Sequence, residues 1–116
     1  MKKTKMLKKN YEFNQVFSKG KYYSGKTIEA FILDNKENLN YLGLAVSTKC
    51  GKAYQRNRVK RLLRENYQSL EQQIQQGWTI IFLWKKKCNI EEAEFYQIGN
   101  DMLKILKDSK ILKIEK

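Results

Sequence analysis

Apolar residues recur along this chain in more than one rhythm. Over residues 10–20, Phe13, Val16 and Phe17 stand at i, i+3 and i+4, the spacing of one helix face. Asn10 can cap such a helix, Glu12 falls in the first turn where the dipole favours an acid, and Gly20 can stop it. Residues 27–34 and 41–47 read as strands joined by a polar stretch around residues 35–40, which predicts an antiparallel hairpin. In the second strand Leu42, Leu44 and Val46 share one face, while Gly43, Ala45 and Ser47 leave the other bare of large side chains. From Ala53 to Leu70 the helical rhythm returns with Val59, Leu62, Leu63, Tyr67 and Leu70. Trp78 to Trp84 is almost continuously apolar, the pattern of a central strand buried on both faces. A last helix is expected over roughly Ile90–Lys107, and Lys110–Ile114 is expected to add a short strand or helical turn.

The predicted order is α-β-β-α-β-α, a small α+β sandwich with its helices on one sheet face. A length of 116 residues without repeats or a Pro/Ser/Gly-rich linker fits one domain spanning 1–116, with residues 1–9 expected to be a basic, weakly ordered arm.

Charge narrows the function. Lys and Arg number 24 against 12 Asp and Glu, a formal net charge of +12, which favours a polyanionic partner, with nucleic acid first and an anionic membrane second. Histidine is absent, which removes the commonest general base and the commonest zinc ligand. Cys50 and Cys88 are far apart in sequence and belong to no metal-binding spacing. No apolar run approaches the roughly 20 residues that span a bilayer, and the Lys-rich start lacks the apolar segment of a secretory signal. A soluble, cytoplasmic protein is expected.

The basic residues concentrate on the second helix pattern. Between Lys49 and Arg64 stand Lys52, Arg56, Arg58, Lys60 and Arg61, with no acid among them. On a helical wheel Arg56, Lys60 and Arg64 run along one flank of the apolar face, Asn57 and Arg61 follow, and Arg58 lies on the far flank. Like charges four apart repel by a few tenths of a kcal/mol per pair, so an anionic partner explains the stripe better than a solvated face does. Asn57 suits either a plain surface position or a hydrogen bond to RNA. Phe13 and Phe17, one turn apart beside the basic arm, suit either core packing or stacking on unpaired bases. Phe31 alternates with Ala30 and Ile32 and shares a face with Glu29 and Leu33. If that is also the bare face of Gly43, Ala45 and Ser47, then Phe13, Phe17 and Phe31 line one groove beside the basic helix, with Lys60 and Arg64 for phosphates. The acids form no paired motif in the basic region, so catalysis by this chain alone is not expected.

The string Lys52-Ala-Tyr-Gln-Arg56-Asn57-Arg58-Val-Lys60-Arg61-Leu-Leu-Arg64-Glu, with Leu42–Ser47 before it and the Phe13/Phe17 helix upstream, resembles the signature of the bacterial ribonuclease P protein component. The resemblance implies a ribosomal protein S5 domain 2-like fold with a left-handed β-α-β crossover, where the general rule favours the right-handed sense. It implies a non-catalytic subunit of an endoribonuclease, joined one to one with a catalytic RNA that holds the magnesium ions and removes the 5′ leader of precursor tRNA. Carried over, Lys52, Arg56, Asn57, Arg58, Lys60, Arg61 and Arg64 would meet the catalytic RNA, and Phe13, Phe17, Phe31, Lys60 and Arg64 would line the leader cleft. No organic cofactor, protein-bound metal or membrane partner is implied. A general RNA-binding protein, sharing the charge without a leader cleft, and a protein-only nuclease are the rival readings.

Overall fold

Strand and helix rhythms resolve into eight elements over residues 3–113, which the computed structural model describes. In chain order these are β1 (Thr4–Met6), α1 (Asn10–Lys19), β2 (Lys21–Ser24), β3 (Ile28–Asp34), β4 (Asn40–Ala45), α2 (Ala53–Leu70), β5 (Trp78–Trp84) and α3 (Phe95–Asp108). The sheet order is β1-β4-β5-β3-β2.

The expected hairpin between residues 27–34 and 41–47 does not form. β5 inserts between β3 and β4, antiparallel to the first and parallel to the second. The reason lies in composition: Ile80, Ile81 and Phe82 are all fully buried, and a strand so uniformly apolar is best shielded in the middle of the sheet, where helices cover both faces and neighbouring strands both edges.

β4, α2 and β5 form a β-α-β unit between adjacent parallel strands, and Leu42 fixes its hand. The Leu42 side chain enters the core shared with α2, and its carbonyl accepts the Leu7 amide at 2.9 Å from the β1 side. In an extended L-residue, side chain, chain direction and carbonyl have a fixed chirality. Viewed from α2 with β4 running upward, that chirality puts β1 to the right and β5 to the left. The crossover is therefore left-handed, against the right-handed sense of about 98% of such units.

Helices cover both sheet faces, not one as the sequence pattern suggested. α2 and α3 close the main core over Ile28, Leu42, Ile80 and Phe82. α1 covers the opposite face, where Val16 meets Leu7 and Ile81. Its apolar stripe is only three residues wide, enough for a second, smaller core.

Residues 1–9, expected as a weakly ordered arm, contain β1; Met1 and Lys2 lie outside the described residues. Thr4 and Leu7 are buried, and Thr4 Oγ1 lies 2.8 Å from the Tyr67 hydroxyl of α2. The Lys-rich composition hid this, because in a three-residue strand only one face needs burial. β2 also went unpredicted, since Lys21–Ser24 has too few apolar residues to show alternation. α3 starts later than expected: a 3-10 turn covers Ile90–Glu92, and Glu94 caps the helix by accepting the Tyr96 and Gln97 amides. In the expected Lys110–Ile114 element, Leu112 makes a single antiparallel bridge to Ile74, and Ile114 is outside the described residues.

Candidate nucleic-acid interface

α1 positions its rings through a glycine. A Cβ at Gly43 would lie 2.7 Å from Phe13 Cε1, so the bare face of β4 admits the Phe13 ring directly onto the strand. Glu12 fixes the start of the helix by accepting the Lys9 amide at 3.0 Å, one residue before the expected cap at Asn10. Phe17, one turn on, keeps 36% of its surface exposed. It stacks edge-on against Phe31 of β3, with centroids 5.1 Å apart and planes at 85°, a favoured aromatic geometry. Phe13 and Phe17 centroids are 6.4 Å apart.

Past Gly43, the face opens into a groove of about 570 Å³ lined by Phe13, Phe17, Ala45, Ser47, Leu83 and Lys60. The groove expected from strand alternation is therefore present, with Lys60 of α2 in its wall. Phe31 adjoins it through Phe17 and does not itself line it. Arg64, also expected there, is not among the lining residues. It sits four residues beyond Lys60, about 6 Å further along α2, and is half-buried.

The remaining basic residues divide by what holds them. Arg56 Nη1 donates to the Gly51 carbonyl at 2.6 Å, and Arg58 Nη1 donates to the Ala93 carbonyl at 2.8 Å. Arg56 thereby fixes the approach to α2, and Arg58 ties α2 to the segment that leads into α3. The Lys52 amide donates to Gln55 Oε1 at 2.9 Å, and its side chain is exposed. Asn57 and Arg61 face outward, Arg61 with Glu65 at 3.5 Å. Lys60 and Arg64 form no ion pair among the described residues.

Tyr22 escaped the sequence reading because β2 did. It stands opposite Phe31 in the β2–β3 register, its centroid 5.3 Å from that ring, and its hydroxyl donates to Glu29 Oε2 at 2.5 Å. That hydrogen bond raises the phenol above its ordinary pKa of 10.0. On the other flank of α1 a cavity of about 310 Å³ is bordered by Glu12, Asp34 and Glu37. Its acidity makes it a poor place for a polyanion. The two flanks of α1 thus differ in sign, and the aromatic side is the basic one.

No group of three His, Cys, Asp or Glu side chains suited to a metal ion occurs among the described residues, and no helix there is long and apolar enough to cross a membrane. Fold and surface together define a class: a strongly basic α+β sandwich built on a left-handed crossover, with an open aromatic groove beside a cationic helix. The model of the ribonuclease P family matches residues 1–110, and the chain belongs to that family. The ribonuclease P protein component of Natranaerobius thermophilus is 39% identical over 106 residues, covering 91% of this chain and 90% of the relative. That of Clostridium botulinum strain Loch Maree is 37% identical, covering 96% and 98%. Among solved structures, the Staphylococcus aureus RNase P protein is similar with a TM-score of 0.81 at 28% identity, covering 93% of this chain and 97% of that one. The Thermotoga maritima RNase P protein is similar with a TM-score of 0.80 at 27% identity, covering 97% and 99%.

Proposed function

We propose that this chain is the RNA-binding subunit of a ribonuclease P holoenzyme that removes the 5′ leader from precursor tRNA. One observation carries the reading: rings from α1 and an ammonium group from α2 converge on one open groove, Phe13 and Phe17 on one side and Lys60 on the other. Stacking faces flanked by a cation fit single-stranded RNA, whose bases are unpaired and whose phosphates are regularly spaced. The exposed side of α2, with Lys52, Asn57, Arg58 and Arg61, then meets the catalytic RNA, and Arg56 and Arg64 border that contact. The leader, single-stranded where the tRNA body is paired, is the occupant that this reading assigns to the groove.

The protein's share of the chemistry is binding and orientation. No carboxylate among the described residues lines the groove, and the reading assigns magnesium and bond cleavage to the RNA partner. A one-to-one complex in the cytoplasm completes it. Mixing the protein with a bacterial ribonuclease P RNA at low magnesium should raise cleavage of precursor tRNA several-fold, with no cleavage by protein alone. No stimulation would favour a general RNA-binding protein, and cleavage without added RNA would favour a protein-only nuclease.

A further inference from the structure

Most rings that reach the surface of this protein are held there by a neighbour. Lys9 Nζ lies 5.8 Å from the centre of the Tyr11 ring, Phe17 and Tyr22 each pack on Phe31, and Tyr96 meets Phe95 edge-on at 5.4 Å. Tyr54 differs. It keeps 68% of its surface exposed on the first turn of α2, and among the described residues its ring has neither an aromatic nor a cationic partner. Nothing in the packing of α2 requires an aromatic side chain there, since the helix buries Val59, Leu62, Leu63 and Tyr67 on its other side.

The surroundings give this ring a use. Asn57, Arg58 and Arg61 stand three, four and seven residues after Tyr54 and are all exposed, so the four side chains share one outward face of α2, with neighbours about 5–6 Å apart at Cβ. Lys52 is exposed where that face begins, and Arg58 is fixed beside it through the Ala93 carbonyl at 2.8 Å. No acid precedes Glu65 on the helix. Glu91 and Glu92, on the 3-10 turn that flanks α2 near Arg58, are outnumbered by the seven Lys and Arg from Lys49 to Arg64. A single exposed apolar side chain is ordinary. A free π face among guanidinium groups is a surface for a nucleobase.

We propose that Tyr54 stacks on an unpaired nucleotide of the catalytic RNA, with Arg58 and Arg61 on the phosphates beside it. The inference rests on the subunit reading above, which brings α2 to that RNA, and it specifies what α2 meets there. In a duplex both faces of each base are covered by its neighbours, so a tyrosine stacks only where a loop, bulge or junction leaves a face open. The leader is not the occupant. Lys60, the α2 residue in the groove wall, stands six positions after Tyr54, about 120° around the helix from it, so a strand held in the groove leaves the Tyr54 face to another RNA.

The test measures binding of the full chain to a bacterial ribonuclease P RNA without tRNA, and binding of the assembled holoenzyme to precursor tRNA, for Tyr54→Ala, Tyr54→Leu and Tyr54→Phe. The Ala and Leu variants should each bind the catalytic RNA about 5- to 100-fold more weakly, because neither has a π face, and their salt slope should match wild type, because no charge is lost. Tyr54→Phe should stay within about twofold of wild type. All three should melt within a few degrees of it, since the side chain is exposed. An abasic residue placed in turn at the unpaired positions of the RNA should, at one of them, weaken wild type by a similar factor and leave Tyr54→Ala unaffected. Tyr54→Ala that binds like wild type overturns the proposal and leaves the ring to a protein partner. An equal loss in Tyr54→Phe would assign the contact to the hydroxyl, full affinity in Tyr54→Leu would assign it to apolar packing, and a loss confined to precursor tRNA would assign it to the substrate. Each of these overturns stacking on the catalytic RNA. Wild type that fails to bind the RNA sinks the subunit reading as well, whereas wild-type binding that ignores Tyr54 sinks only this inference.

Discussion

Replacing Phe17 with alanine separates the two roles that its ring could have. About two-thirds of its surface is covered, chiefly by Phe13 and Phe31. Full truncation of a buried Phe costs about 3–5 kcal/mol. At the rim of an open groove, where neighbours can relax and water already reaches the ring, about 1.5–2.5 kcal/mol is expected. Domains of this size are stable by about 5–15 kcal/mol, so the variant stays folded, with a melting temperature lower by roughly 5–10 °C. If the exposed face of Phe17 stacks on a leader base, a further loss of about 1–3 kcal/mol appears in binding. That is about 5- to 150-fold in affinity for precursor tRNA and none for mature tRNA. Phe17→Leu sharpens the comparison, because it keeps most of the apolar volume and removes the π face. Its melting temperature should move by only a few degrees while leader discrimination still falls. Binding of holoenzyme to leader-bearing and mature tRNA, alongside thermal melts, gives both quantities. Equal loss for the two ligands, or a Leu variant that discriminates like wild type, would refute leader stacking and leave Phe17 as a core residue.

Asp101 is buried in α3 and accepts hydrogen bonds from the Lys26 and Thr27 amides and from Gln97 Nε2 at 3.2, 2.8 and 2.9 Å; Asp101→Ala should cost about 2–4 kcal/mol by urea unfolding, and a loss under about 1 kcal/mol would contradict the account of this contact. Arg61→Ala should leave the melting temperature nearly unchanged, because an exposed i,i+4 pair contributes about 0.3–0.5 kcal/mol, yet lower the salt slope of catalytic-RNA binding by roughly one. Arg58→Ala should lower both, since it also frees the Ala93 carbonyl, and an Arg58 variant with unaltered stability would show that this bond contributes nothing. Burial raises the Tyr67 phenol above 10.0, so the folded state favours its neutral form. The stability from that preference is fully present below pH 10 and is lost as pH rises through the folded value. Tyr67→Phe should therefore be less stable near neutrality by about 0.5–1.5 kcal/mol through the lost contact with Thr4, and the gap should narrow above pH 10; a constant gap in unfolding experiments across that range would contradict the burial effect.

Legibility in the sequence tracked how much of each element is buried. α2 and β5 were readable because each carries five or more apolar positions at one spacing, and their bounds agree closely with the pattern. β1 and β2 were not, being three and four residues long, too short for alternation to register above a lysine-rich background. Pairing was less legible still. Proximity in sequence favoured a β3–β4 hairpin, but the burial of β5 on both faces outweighed it. The groove was foreseen because Gly43 and Ala45 alternate with leucines, a signal carried by missing side chains. Phe13 occupies the vacancy at Gly43, which only the approach of α1 reveals. Family resemblance supplied the hand of the crossover, which no pattern of residues in the chain encodes.

That unpredicted shortness of β1 also explains how a helix on one sheet face supplies charge to a groove on the other. β1 pairs with β4 only from Asn40 to Leu42, and the Leu7 amide makes the last bond of that ladder. From Gly43 to Ala45, β4 therefore forms the open edge of the sheet. A longer β1 would continue past Ala45 and place a strand between Lys60 and the rings of α1. With the edge open, the lysine reaches around β4 into the groove, while Arg64, a turn further along α2 toward the level where β1 is paired, does not. β5 lies on the other side of β4 from this edge, so α2, which connects the two strands, overlies the edge strand and the lysine's path is short. The same small side chains that admit Phe13 onto β4 leave the rest of the strand low enough for that reach. Charge and aromatic surface come from opposite layers of the sandwich, and they meet only where the sheet between them ends.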